Sequence, residues 1–547
     1  MDNVYGNYAS DSLTLTNLRA GLTGVQHRHD VLPRDPKPGE AVTIRVVTPG
    51  AAAFKQVALY YTTDNSTPSG SRGMAANGTT IYFERVHSEW DVSIWGYVIY
   101  WQATIPGQTD QTMVQYIISA WSENGEEIYA DWPDVDDIVH HEVALHYKTI
   151  AAKTHLVHYA HFPGEHVFNY HVDTYQIPGW AAEATLYHIF IDRFYPGDGK
   201  IWVRTKAEGK VCGGTLWGVR DKLDYIAELG IDAIWLSPIW AMPSFHGYDV
   251  TNYDVTEPRL GGDEALKAVV DGAHERGIRV LLDMVCNHLS NEHPFFIEAL
   301  NDKNSPFRDW FMFNERVMNS YKSFFGVASM PRINLDYPPA RDWMVANAVY
   351  WLREFDVDGY RLDVADGPGP NIWTHFRKAC RVVKPDCLIF GEIIDTPKRL
   401  RTYAGRLDGC LDFPLNDALR RTFGWETMSE VELDAFVADN AGYYPPDFIL
   451  PAFLDNHDMD RFMYAAGNEP EKLKRAAAYL FKLPNLAIIY YGTEVGMPQP
   501  LSINQTGGYR ASREPMVWGD RQNQDVLDFF KEQIKVRKQR RALASGG

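Results

Sequence analysis

From Thr185 onward, short runs of nearly continuous apolar residues alternate with segments of helical period, eight times over. The strand candidates are Thr185–Phe190, Ile231–Leu236, Ile278–Leu282, Val357–Leu362, Leu388–Phe390, Gly409–Phe413, Phe448–Leu454 and Leu486–Tyr490. Between them, Leu216, Val219, Leu223 and Ile226 recur at helical spacing before Gly230, and Leu266, Val269, Val270 and Ala273 do so before Gly277. Strands without an apolar/polar alternation are buried on both faces. Eight strand–helix units of this kind predict a (β/α)8 barrel, of α/β class, over residues 180–547. One connection is far too long for a loop. The stretch 289–338 follows the third strand and reads as a small domain inserted at the catalytic face.

The first part of the chain has a different rhythm. Residues 1–165 show strand alternation in Val42–Thr48, Gln56–Thr62 and Val114–Trp121, and the turn Glu123–Glu126 leads into Glu127–Ala130 as in a hairpin. This spacing predicts an N-terminal antiparallel β-sandwich. A Tyr- and His-rich stretch, 146–180, links it to the barrel.

Charge and cysteine content narrow the chemistry. With 53 Lys and Arg against 71 Asp and Glu, the net charge is −18, which repels phosphate backbones and argues against nucleic acid as a partner. The 5 Cys form no metal-type pair and indicate neither a disulfide framework nor a zinc site. No apolar run approaches the roughly 18 residues that span a membrane. The start lacks a basic and apolar leader, so the expected location is cytoplasmic, or secreted if a signal has been removed.

In such a barrel the reactive groups project from the carboxyl ends of the strands. Four polar clusters fall there: Asp283 to Asn287 and His288 after strand three, Arg361 and Asp363 on strand four, Glu392 on strand five, and Asp455 to Asp458, including His457, on strand seven. A lone strand-end Asp is usually a cap or an ion pair. Asp363, Glu392 and Asp458 together at one mouth are another matter, because burying like charges is costly unless they are used.

In their order along the chain, these clusters resemble the α-amylase family of retaining glycoside hydrolases. Tyr187–Phe194, His246–Asp249 and Tyr490–Glu494 add to the resemblance, which covers about 180–543. Met330–Asn334, the short insert and the β N-terminal domain are most like the branch of cyclomaltodextrinases, neopullulanases and maltogenic amylases. Phe453–Arg461, with Asn456 before His457, departs from that branch towards ordinary α-amylases.

The resemblance implies hydrolysis of α-1,4 glucosidic bonds, and α-1,6 bonds as a further expectation, in maltooligosaccharides, cyclodextrins or related α-glucans. The alternatives are an α-glucanotransferase, which passes the sugar to another hydroxyl, and an ordinary starch-degrading α-amylase. A non-catalytic binding protein on the same barrel would be expected to have lost a carboxylate, and all three are present. Asp363 is the implied nucleophile, held ionised by Arg361. Glu392 is the implied acid/base, and Asp458 binds sugar hydroxyls and raises Glu392. His288 and His457 would bond the same sugar and Tyr248 would offer it a stacking face, while Asp283 anchors the strand-three end. No catalytic cofactor is implied; a structural Ca²⁺ is, with Asn287 matching a ligand position. A homodimer whose sandwich walls the site is a further implication, with Trp90, Trp95, Trp101, Tyr60 and Tyr61 as wall or core. The C-terminal β-domain usual in the family has no counterpart after Arg541.

Overall fold

The computed structural model describes residues 24–52, 54–91, 96–123, 125–130, 166–203, 210–314, 318–506 and 508–545. Trp95 and the linker up to 165 lie outside them. By its packing the chain divides into two units, residues 1–175 with 295–343 and 368–375, and residues 176–294 with 344–367 and 376–547.

The core of the first unit is built from two antiparallel sheets, beside a small two-stranded ribbon of Ser69–Ser71 and Met74–Asn77. One runs in the order Val31–Leu32, Val42–Pro49, Gly96–Ile105, Glu84–Asp91; the other runs Glu127–Tyr129, Thr112–Trp121, Gln56–Thr62, Thr79–Tyr82. Phe168–Val172 also pairs with Thr112–Trp121. Alternate residues of both sheets meet in one core, with Ile44, Val46, Trp101 and Ile105 from the first and Val57, Leu59, Tyr116 and Ile118 from the second. Their burial is the area-proportional driving force that closes a sandwich. Of the aromatic residues singled out from the sequence, Trp101 and Tyr60 are core, and Trp90 is 45% exposed beside Tyr97. In the insert, the helix Pro294–Asn301 is followed by short bridges, Phe311 to Ile333 and Phe313 to Tyr321, whose rings pack on Phe296.

The second unit is the barrel. Its strands are Thr185–Ile189, Ala233–Leu236, Arg279–Val285, Gly359–Asp363, Leu388–Gly391, Gly409–Cys410, Ala452–Phe453 and Ala487–Tyr490. We number them one to eight. Neighbours pair in parallel from six back to one, then one to eight and eight to seven. The ring closes where the Ile449 N–H donates to the Asp408 carbonyl at 2.8 Å and the Cys410 N–H donates to the Ile449 carbonyl at 3.2 Å. Leu186, Trp235, Leu281, Leu388, Phe390, Phe453 and Ile488 share one core. Strand four can begin only with glycine. At Gly359 φ is +147°, and a Cβ there would stand 2.0 Å from the Leu388 carbonyl oxygen.

Strands six and seven are shorter than their apolar runs suggest. After Cys410 the Asp412 side chain accepts the Leu415 N–H and caps the helix Phe413–Leu419, so the backbone leaves the sheet early. The first barrel helix also breaks in two at Lys222, between Leu216–Asp221 and Leu223–Leu229.

Candidate active site

Strands three, four and five set the site through register. Asp283 lies opposite Arg361, and Arg361 opposite Phe390. Asp363 and Glu392 therefore stand one layer further out, at the strand ends, with the Ala365 N–H closing on the Glu392 carbonyl at 2.9 Å.

Arg361, fully buried, is the hub. Its Nη1 meets Asp283 Oδ1 at 2.6 Å and Asp363 Oδ1 at 2.9 Å, and its Nη2 meets Glu392 Oε1 at 2.7 Å. A planar fork that reaches three carboxylates is geometry that lysine could not supply. Asp283 is fixed further by the Trp235 indole N–H at 3.0 Å and the Tyr248 hydroxyl at 3.0 Å. One guanidinium thus touches both Asp363 and Glu392.

Immediately after Asp363 the backbone is strained. Val364 has φ +43°, in a region β-branched residues avoid at a cost of order 1–3 kcal/mol. The Val364 N–H donates to Glu392 Oε2 at 3.3 Å, so the strained turn holds the second oxygen of that carboxyl.

The fourth acid arrives on the loop after strand seven. Arg420, at the start of a π-turn that ends the helix Phe413–Leu419, donates to the Leu454 carbonyl at 3.1 Å and the Asp460 carbonyl at 2.9 Å. Both ends of the loop are thus pinned. Asp455 anchors its start by accepting from Thr493 Oγ1 and the Phe462 N–H. Asp458 Oδ2 lies 2.8 Å from His457 Nε2, and its Oδ1 lies 2.5 Å from Arg513 Nη2. His457 Nε2 is also 2.6 Å from the Tyr248 hydroxyl, and the Tyr248 and His457 rings are parallel, with centroids 5.3 Å apart.

The charges push these acids apart. Burial drives the Asp363 carboxyl well above the usual carboxylate range; Arg361 opposes this, and Glu392, Asp283 and Asp458 add to it. Glu392 is also raised, first by burial and then by Asp458 and Asp283, against Arg361 and His457. On Asp458 burial again acts upward, but His457, Arg513 and Arg361 together hold this carboxyl well below its ordinary value. Arg361 acts on Asp363 in the direction the sequence suggested, towards the ionised form, and burial acts against it. Asp363 and Glu392 interact strongly and titrate as a pair, beside an Asp458 held well below its ordinary value.

Asp363, Glu392, Asp458, Arg361, His457 and Tyr248 thus come together. His288 is in the same shell but turned to the protein: its Nε2 donates to the Tyr248 carbonyl at 2.9 Å, and its Nδ1 accepts from Asn287 Nδ2 at 3.1 Å. It holds the Tyr248 backbone. Asn287 keeps a buried Oδ1 with no hydrogen-bond partner, as an oxygen ligand would. Ca²⁺ takes six to eight oxygens, and among the described residues no group of three or more His, Cys, Asp or Glu is placed to hold a metal.

Sequence reasoning missed Arg513, which lies on the loop after strand eight, where neither periodicity nor motif singled it out. It also left unread the stack of His188 on Trp235, centroids 3.6 Å apart, beneath His457.

Fold and site together define a (β/α)8 barrel protein with a carboxylate centre at its strand ends. The chain belongs to the alpha-amylase family, since residues 188–542 match the family's alpha amylase catalytic domain. It is 39% identical over 379 residues to "Alpha-amylase 2" of Dictyoglomus thermophilum, an alignment taking in 69% of this chain and 66% of that protein. It is 36% identical over 398 residues to a cyclomaltodextrinase of Geobacillus thermopakistaniensis, covering 69% and 66%. The match thus spans just under two thirds of the length of these relatives. A solved cyclomaltodextrinase structure superposes with a TM-score of 0.62 at 23% identity, covering 94% of this chain and 84% of that one, a likeness of fold alone. No helix among the described residues is long and apolar enough to cross a membrane.

Proposed function

We propose that the chain hydrolyses α-1,4 and α-1,6 glucosidic bonds of maltooligosaccharides, cyclodextrins and related α-glucans by double displacement, with retention at the anomeric carbon. The observation that carries this reading is the Arg361 fork, which joins Asp363 and Glu392 next to a charged Asp458.

In the first step Glu392 gives its proton to the glycosidic oxygen while Asp363 attacks the anomeric carbon. The C–O bond breaks, the leaving sugar departs as an alcohol, and a glycosyl ester forms on Asp363. Glu392, now ionised, takes a proton from water as that water attacks the same carbon and displaces Asp363. On this reading Asp458, held by His457 and Arg513, binds sugar hydroxyls. These hydrogen bonds strengthen as the ring flattens towards the oxocarbenium-like transition state. A sugar hydroxyl in place of the water gives transfer from the same intermediate. The chemistry needs no metal; a Ca²⁺ at Asn287 would be structural.

The family resemblance and the names of the relatives support small or cyclic substrates. We therefore expect a higher kcat/KM on maltooligosaccharides or γ-cyclodextrin than on starch, with some transfer products. Product analysis on maltotriose, γ-cyclodextrin, pullulan and starch side by side tests it. Strong activity on starch with cyclodextrin untouched would point to an ordinary α-amylase instead.

A further inference from the structure

Two neighbouring tyrosines close strand eight, Tyr490 as its last residue and Tyr491 just after it, and both are fully buried. Tyr491 is set by its own N–H, which donates to the His188 carbonyl at 2.9 Å, and by its carbonyl, which accepts from Arg461 Nη1 at 2.8 Å. The Arg461 guanidinium also lies over both rings, 4.7 Å from the Tyr490 centroid and 4.9 Å from that of Tyr491. From these fixed rings the hydroxyls reach the loop after strand eight. Tyr490 donates to the Ser512 carbonyl at 3.2 Å and Tyr491 to the Glu514 carbonyl at 2.8 Å. The two carbonyls flank Arg513. Burial holds both phenols above their ordinary pKa, so each remains a donor. Arg513 in turn donates from Nε to the His457 carbonyl at 2.7 Å and pairs through Nη2 with Asp458 at 2.5 Å.

We infer that Tyr490 and Tyr491 are positioning residues for the reaction: by clamping the backbone on both sides of Arg513, they hold its guanidinium on Asp458. The inference rests on the glycosidase reading above. A planar fork that must meet a carbonyl and a carboxylate at once tolerates little drift of its backbone. Asp458 is also faced by Arg361 and Asp363 of strand four, by Glu392 of strand five and by His457 on its own loop. His246 and Tyr248 after strand two, His188 of strand one and Tyr509 complete its surroundings. Arg513 is the cation among these whose backbone the two hydroxyls hold. Asp458 acts upward on both Asp363 and Glu392. When Arg513 loosens, the charge of Asp458 is less compensated, both carboxyls rise, and both limbs of the pH profile move to higher pH.

The test measures kcat, KM and the pH profile on maltotriose for wild type, Tyr491→Phe and Tyr490→Phe, each replacement alone and together with Arg513→Gln. The Phe variants keep the rings against Arg461 and remove only the hydroxyls. Tyr360→Phe is the control, because it removes a buried hydroxyl that donates to the Ala348 carbonyl at 2.6 Å, on the helix side of strand four. Tyr491→Phe should lower kcat about 5-fold or more, with KM within about 2-fold of wild type, and move both limbs up by about 0.5 pH unit. Tyr490→Phe, which loses the longer bond, should act in the same direction and by less. In the Arg513→Gln background neither replacement should add to the loss. Tyr360→Phe should lower the melting temperature and leave kcat and the profile at the wild-type values. Lower melting temperatures for Tyr491→Phe and Tyr490→Phe with wild-type kcat and profile would overturn the inference, and so would undiminished losses on top of Arg513→Gln. A wild-type chain inert on maltotriose would overturn the glycosidase reading, and this inference with it.

Discussion

Replacing Asp363 with Asn should lower kcat on maltotriose by about 10⁴-fold or more and leave the fold intact. An amide oxygen in the same place cannot form the glycosyl ester, so the reaction loses its nucleophile rather than a contributor to binding. Asn still offers Arg361 an acceptor at the 2.9 Å position. The native site holds Asp363 well above the usual carboxylate range, chiefly by burial, so the charge removed is one the fold disfavours. The melting temperature should therefore be unchanged or higher. Stopped assays on maltotriose with calorimetry on the same preparation check both halves. A loss below about 10-fold would remove Asp363 from the role of nucleophile.

The second large effect is at Glu392, and it depends on the leaving group. On maltotriose, Glu392→Gln should cost about 10³-fold or more, because a sugar alkoxide leaves poorly without a proton. Fluoride leaves unaided, so on α-glucosyl fluoride ester formation should survive and its hydrolysis should become the slow step. The pH dependence has a definite sign. Wild type works with Glu392 protonated, and the folded site raises this carboxyl, first by burial. Activity is lost as pH rises through that raised value, so the alkaline limb lies above the ordinary carboxylate range of about 4.3. In the Gln variant there is no proton to lose there, and the residual activity should lack that limb. Equal losses on maltotriose and the fluoride, with the limb still present, would mean that another group donates the proton.

The barrel was legible because its strands are buried on both faces and read as unbroken apolar runs, from Thr185–Ile189 to Ala487–Tyr490. The carboxylates were legible because a strand end is where a barrel exposes polar groups, and Asp363, Glu392 and Asp458 each follow such a run. The rest depended on contacts that sequence order does not carry. Ring closure rests on the backbone hydrogen bonds of Asp408, Cys410 and Asp412 to Ile449 and Pro451, at the edge of shortened strands. The capping preference of Asp412 overrode the apolar pattern that continued to Phe413. Asp363 looked held in its charged form by Arg361 two residues away. In the folded site the same guanidinium is shared with Asp283 and Glu392, and burial outweighs it. His288 looked like a sugar ligand, but its Nε2 is used on the Tyr248 carbonyl. Arg513 came from a loop with no periodic signal, and only the fold brings it to Asp458.

The central claim is that Asp363 and Glu392 act as a nucleophile and acid/base pair in double displacement. Proton NMR of the first product released from maltotriose, recorded before mutarotation, tests it most directly. The account predicts that the new reducing end appears as the α-anomer, with the β-anomer growing in only at the spontaneous rate. Initial release of the β-anomer would mean a single displacement by water and would contradict the account.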